Sequence, residues 1–120
     1  MAASLILKDG KPFMTLGGSG GRAIMTELIE LVVNVIDHKM DIQKALDSPR
    51  FHAEDGEPCE GEWDFPVGTA KELEKMGHQF VVLRKWGGVH AILSDPVTGK
   101  CHIGCEPRIG QSAAGGLLSR

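Results

Sequence analysis

Between Leu16 and Thr26 the chain reads LGGSGGRAIMT, four glycines around one serine, set between an apolar segment and a long hydrophobic run. Glycine loses more conformational freedom on folding than any other residue. Such a cluster therefore implies a loop whose backbone angles or close approaches other residues do not tolerate. The run that follows decides what the loop leads into. From Arg22 to His38 the apolar residues Ile24, Met25, Leu28, Ile29, Val32, Val35 and Ile36 recur three and four apart, which predicts a helix. Leu31 and Val33 widen its apolar stripe, so it is expected to pack against more than one neighbour.

The rest of the chain supplies elements for that frame. Ser4–Lys8 and Pro12–Leu16 are short apolar segments separated by Asp9-Gly10, a pair suited to a tight turn with positive φ, and they read as a hairpin. A short helix is expected over Asp41–Leu46, with Asp41 as its N-cap and Pro49 barring continuation beyond Ser48. Glu54–Asp64 carries acidic residues, Gly56, Pro58 and Gly61, and reads as an exposed loop with one short strand near Trp63. Pro66–Met76 places Val67, Ala70, Leu73 and Met76 at helical spacing and ends at Gly77, as a surface helix with a glycine cap would. Gln79–Lys85, Val89–Ser94 and Lys100–Cys105 then read as three successive antiparallel strands, with turns at 86–88 and 95–99. The order is α+β in one domain spanning residues 1–110, followed by a flexible tail of small residues at 111–120.

Composition narrows the partners. The 120 residues, 42% hydrophobic, are enough for one core, and the net charge of −3 arises from interspersed charges. No Lys/Arg cluster of the density used on nucleic acid is present in the sequence, so nucleic acid is not an expected partner. Apolar segments such as Leu31–Val33 are short, and the first residues lack a basic stretch followed by an apolar one; neither a membrane span nor a leader is expected. Three cysteines are too few for a disulfide framework, and the compartment stays open.

Three jobs compete for the glycine loop. Residues 18–23 match G-x-G-x-x-A after a predicted strand and before a helix, with Asp37 and Asp41 further on, as in a dinucleotide cradle. A second helix and a proline follow where that motif needs a prompt parallel strand, so no nucleotide or other cofactor is expected. A tight strand-to-helix turn needing only glycine is the plain alternative. In the third reading the backbone N–H groups of Gly20 and Gly21, near the helix N-terminus, stabilise negative charge on a substrate oxygen.

Motifs along nearly the whole chain decide among them. Leu5–Phe13 (LILKDGKPF), the GGSGG loop, Val35–His38 with Met40–Gln43, Ser48–His52 (SPRFH), Lys75–His78, Glu106–Arg108 and Ala113–Gly115 occur in order and at matching spacing. Together they resemble the C-terminal part of the small subunit of γ-glutamyltranspeptidases. The resemblance implies an N-terminal-nucleophile hydrolase fold, here a partial αββα sandwich with largely antiparallel sheet and packed helices. It implies a γ-glutamyl amide such as glutathione as substrate, a γ-glutamyl ester on a threonine as intermediate, and water or an amino acid or peptide as acceptor. Cephalosporin acylases share the pattern. Gly20 and Gly21 match the family's oxyanion-hole pair, and Ser19 and Arg22 flank them as substrate-binding candidates. Where many relatives have Gly-Ser-Pro-Gly-Gly, this chain has Gly17-Gly18-Ser19-Gly20-Gly21.

The beginning departs further. This chemistry needs a Thr, Ser or Cys with a free α-amine, whereas the sequence starts Met1-Ala2-Ala3-Ser4, and Thr15, Thr26, Thr69 and Thr98 are internal. No nucleophile is therefore expected in this chain, and the chain alone is expected to be inactive. Its expected partners are a large subunit or further copies of itself, since uncovered sheet surface drives association.

Other residues draw plainer readings. Cys101 and Cys105, with Cys59 or His102, lack the close pairing of a metal site, and the cysteines read as buried free thiols. His38, His52, His78, His90 and His102 lie on separate elements and read as packed or exposed. Arg50 reads as a structural ion pair, Trp86 as closing a strand turn, and Glu54–Glu57 as a solvated acidic loop.

Overall fold

A computed structural model describes residues 2–56, 58–83 and 87–108. The expectations for Trp86 and for the tail 111–120 lie outside the described residues.

The chain opens with strand β1 (Ala2–Lys8) and strand β2 (Lys11–Ser19), which pair antiparallel with Lys8 opposite Lys11. Asp9 and Gly10 between them take φ of 52° and 73°, the double positive φ that a two-residue hairpin turn demands. After the glycine loop, one 3-10 turn (Gly21–Ala23) leads into helix α1 (Ile24–Ile36), and helix α2 (Ile42–Asp47) follows. Asp41 caps α2 by accepting from the N–H groups of Gln43 (2.9 Å) and Lys44 (3.4 Å), while Ser48 before Pro49 is already extended. Asp41→Ala is expected to cost about 1 kcal/mol of stability, read as a lower urea midpoint with unchanged slope.

Strand β3 (Phe51–His52), strand β4 (Cys59–Glu62), helix α3 (Val67–Lys75) and strand β5 (Phe80–Leu83) come next. Helix α3 buries no residue, as expected of a surface helix. It ends in two backbone bonds, His78 N–H to Leu73 O and Gly77 N–H to Glu74 O, with Gly77 at φ 101°. Strands β6 (Gly88–Ser94) and β7 (Cys101–Gly104) complete the chain.

These strands make two sheets, an antiparallel one of order β1-β2-β6-β7 and a smaller one of order β3-β4-β5. The expectation of three successive antiparallel strands holds for β6 and β7 and fails for β5. That strand leaves the main sheet and runs parallel to β4, with Cys59 opposite Phe80. The reason is α3: a helix between two strands is a crossover, and a crossover returns the chain parallel to where it began. The Glu54–Asp64 segment is also more than an exposed loop, because Cys59, Gly61 and Glu62 are buried in β4.

Helices α1 and α2 cover one face of the larger sheet. Met14 and Leu16 of β2 and Val89 and Ala91 of β6 meet Leu28, Leu31 and Val35 of α1 and Leu46 of α2 in one apolar core. The alternation along β2 and β6 sends these residues inward. Leu5, Leu7 and Ile92 remain exposed.

Candidate functional site

The glycine loop is the hinge between β2 and α1. Gly20 takes φ 146° and Gly21 takes φ 70°, two consecutive positive angles that side-chain-bearing residues rarely adopt. Sterics impose the same choice from the other side. A Cβ on Gly20 would stand 2.8 Å from Gly87 Cα, and a Cβ on Gly87 would overlap the Ser19 carbonyl oxygen and Gly20 Cα. The loop backbone is thus pressed directly against the start of β6, where Ser19 pairs with Gly88. Around Gly21, by contrast, the space beyond the Cβ position is open.

Neither Gly20 before the 3-10 turn nor Ala23 before α1 gives the helix a side-chain cap. The first amides of a helix lack intrahelical acceptors, so an uncapped start leaves donors and the positive end of the helix dipole facing the loop. Among the described residues, no backbone hydrogen bond outside strands and helices takes the N–H of Gly20 or Gly21 as donor. Beside the loop lies an open cleft of about 380 Å³, its floor formed by Gly17, Gly18 and Ser19 of β2 and by Gly88 and His90 of β6. Ala2 and Ala3 of β1 close one side. His90 had no visible link to the loop in the sequence; the pairing of Gly17 with His90 across the sheet brings it there.

Arg22 turns away from the cleft floor. Its Nη2 lies 2.7 Å from both carboxylate oxygens of Glu60, and its Nη1 lies 3.2 Å from Glu54. It begins a polar seam along α1. Four residues on, Thr26 Oγ1 shares a hydrogen bond of 2.9 Å with His52 Nδ1, and four further, Glu30 accepts the N–H of Phe51 at 3.1 Å. This spacing is one face of a helix, so the three side chains join α1 to the smaller sheet. Burial lifts the Glu30 carboxyl to about 7, with the Phe51 N–H and Arg50 opposing the rise. Because the folded value exceeds the unfolded one, stability is largest below pH 4.5 for this group and declines as pH rises toward 7. Glu30→Gln is expected to remove that decline, on the order of 2–3 kcal/mol, in urea unfolding measured from pH 5 to pH 8.

Behind the loop sits a buried ionic cluster. Arg50 pairs with Glu106 at 2.9 Å, as expected of a structural ion pair. Arg108 binds Glu62 at 2.6 Å and 2.5 Å, Glu106 at 3.0 Å, and the carbonyls of Leu46 and Ser48. Glu106 also accepts the Val89 N–H at 2.8 Å, and Glu62 accepts that of Arg50 at 3.0 Å. None of the three cysteines forms a disulfide: Cys59 is buried in the smaller sheet as expected, whereas Cys101 at the start of β7 is exposed and Cys105 just after it is half-buried, because that edge strand of the larger sheet is covered on one side only. Among the described residues no group of three or more His, Cys, Asp or Glu is arranged to hold a metal ion. No described helix is long and apolar enough to cross a membrane.

Residues 1–116 match the sequence pattern of the family described as Gamma-glutamyltranspeptidase. The chain belongs to this family. Its similarity to the glutathione hydrolase proenzyme of Escherichia coli strain K12 is 30% identity over 109 residues, which is 90% of this chain and 19% of that protein. With the acylase ACY 1 proenzyme of Pseudomonas sp. strain SE83 it shares 36% identity over 97 residues, 80% of this chain and 17% of that one. The fold agrees. Helicobacter pylori γ-glutamyltranspeptidase superposes with a TM-score of 0.84 at 33% identity, covering 91% of this chain and 61% of that one. Cephalosporin acylase from Bacillus halodurans gives 0.85 at 32% identity, covering 93% and 22%. The chain spans about a fifth of the length of the two proenzymes it matches. This γ-glutamyltranspeptidase-family segment thus carries the α+β architecture of an N-terminal-nucleophile hydrolase in part.

Proposed function

We propose that this chain contributes the oxyanion-binding loop to a γ-glutamyl transferase or hydrolase acting on glutathione-like amides, and that a polypeptide segment outside it supplies the nucleophile. The observation that carries the reading is the uncapped start of α1 behind two consecutive positive-φ glycines, opening beside a cleft lined by glycine, alanine and serine with one imidazole, that of His90. In this reading an N-terminal threonine hydroxyl attacks the γ-carbonyl, and its proton passes to the α-amine. The carbonyl oxygen gathers negative charge and accepts from the N–H groups of Gly20 and Gly21. The leaving amine departs with a proton, and water or a second amine then releases the acyl group from its ester.

Ser19, at the cleft floor, flanks that point as a contact for the polar end of the substrate, and Arg22 would join it only by giving up its ion pairs with Glu60 and Glu54. The loop and cleft offer no hydroxyl paired with a free α-amine among the described residues, so the chain by itself is expected not to turn over substrate. The test is release of the anilide from γ-glutamyl anilide by the purified chain alone and after mixing with a polypeptide that begins with the family's threonine segment. Turnover only in the mixture supports the reading, whereas turnover by the chain alone overturns the inactivity claim.

A second reading rests on a different observation. Leu5 is 57% exposed and Leu7 is 55% exposed on edge strand β1, and Met25, Ile29 and Val33 form an exposed stripe along α1. Unpaired strand edges and apolar stripes of this kind favour association. A non-catalytic domain that self-associates is therefore the alternative, and a monomer in light scattering would sink it.

A further inference from the structure

Glu27, in the first turn of α1, is fully buried at 0% exposure, and among the described residues neither of its carboxyl oxygens has a hydrogen-bond partner. Buried carboxyls are almost always paired, so an orphaned one calls for an account. Its position supplies one. Glu27 Oε1 stands 3.8 Å from where a Cβ on Gly20 would be, which places the carboxyl directly behind the glycine loop.

We propose that Glu27 is a positioning residue for the glycine loop, its buried carboxyl group propping the inner side of the Gly20 turn so that the loop's amides stay turned to the cleft. The inference rests on the proposed use of the loop for an anionic oxygen.

Charge balance around Glu27 carries the argument. The charged groups that act on it are Arg50 before β3, Glu62 of β4, and Glu106 and Arg108 after β7; Glu30 is its neighbour on the same helix. Two guanidinium groups face two carboxylates in that cluster, with Arg50 on Glu106 and Arg108 on Glu62 and Glu106. A negative Glu27 would be a third carboxylate against two cations, buried and without a donor. Desolvation accordingly raises its pKa more than the attraction of Arg50 lowers it. The N-terminal dipole of α1 favours the anion here, but it is the weaker effect beside burial of an unpaired charge.

Function points the same way. An anionic Glu27 behind Gly20 would repel negative charge gathering on the other side of the loop and compete for the same donors. A proton on Glu27 removes both effects while keeping the volume that supports the turn. Loop geometry is thus coupled to one buried titration.

Two NMR measurements on the 120-residue chain test this. With carboxyl-labelled glutamate, the Glu27 carbon is expected to titrate above the ordinary glutamate range, and the amide resonances of Gly20 and Gly21 to shift with the same midpoint. In Glu27→Gln, which keeps shape and neutrality, those amides are expected to stay at their acid-form positions across the range. The wild-type carbon signal stands without any substitution, should the variant fold poorly. An ordinary Glu27 titration, or loop amides that shift identically in wild type and Glu27→Gln, would overturn the proposal. In the reconstituted mixture, Glu27→Gln should hold its turnover across the pH range in which the wild-type Glu27 carbon titrates and wild-type turnover falls. Absence of turnover at every pH, with the amide titration present, would instead sink the acyl-transfer reading and leave the prop intact.

Discussion

Replacing Arg108 with methionine is expected to cost about 3–5 kcal/mol, because it removes one member of a buried ion network and leaves the others charged. The Arg108 side chain is 2% exposed and serves Glu62, Glu106 and the carbonyls of Leu46 and Ser48 at once. Without it, Glu62 keeps the Arg50 N–H, and Glu106 keeps Arg50 and the Val89 N–H. Two carboxylates would then share one cation. Domains of this size are stable by about 5–15 kcal/mol, so the variant should lose a large share of its stability at room temperature. Urea midpoints and thermal melts measure it. Arg108→Lys should recover only part of the loss, since an ammonium lacks the planar fork that binds a carboxylate through two nitrogens. Adding Glu62→Leu to Arg108→Met should also recover part, by removing the carboxylate left behind. A midpoint unmoved by Arg108→Met would mean that the network contributes nothing to folding.

The same network sets an acid limit. Burial works against ionising Glu106, but the Val89 N–H, Arg50 and Arg108 outweigh it and hold the carboxyl below its usual range. A lowered folded value gives stability that is present above the unfolded value and lost as pH falls through the folded one. Glu30 has the opposite sign, so the wild-type profile should pass through a maximum on the acid side of neutrality.

Gly20→Val is the second large effect, and it falls on chemistry. Its Cβ would meet Gly87 Cα at 2.8 Å and Gly87 N at 2.9 Å, and valine at φ 146° is strained whatever the space. The backbone must move, and the amide donors move with it. In the reconstituted mixture kcat on γ-glutamyl anilide is expected to fall about 10²–10³-fold, the loss typical of one oxyanion donor. KM should change less, because in the proposed reading the donors act mainly on charge that appears in the transition state. Gly21→Ala provides the contrast: its Cβ would meet no atom within 4 Å, so only the cost of φ 70° remains, about 1–2 kcal/mol. Unchanged turnover in Gly20→Val would take the loop out of the reaction.

The contrast between these two sites marks the boundary of what could be read from residues in a row. The hairpin turn, the long helix, the capped short helix and the glycine-capped surface helix follow from local rules. Each depends on residues within a few positions of one another, and the structure has them within a residue or two of the expected ends. Family membership was also legible, because it rests on several short motifs in fixed order. What was misread was non-local. Strand β5 was expected beside β6 and instead pairs with β4, a choice made by the crossover helix and not by the strand's own composition.

The site divides along the same line. The unusual backbone at Gly20 and Gly21 was legible because glycine adopts positive φ most readily. His90 and Glu27 were not. His90 reaches the cleft by cross-strand pairing, and Glu27 reads in sequence as an unremarkable acidic position on a helix. Local periodicity and turn chemistry therefore decided the elements, since they act over a few residues of chain, and the ordered short motifs carried the family resemblance. Only the tertiary structure decided which backbone presses on the loop, which imidazole enters the cleft and which carboxyls lose their water. Burial and pairing are set by segments far apart in sequence, and no window along the chain contains them.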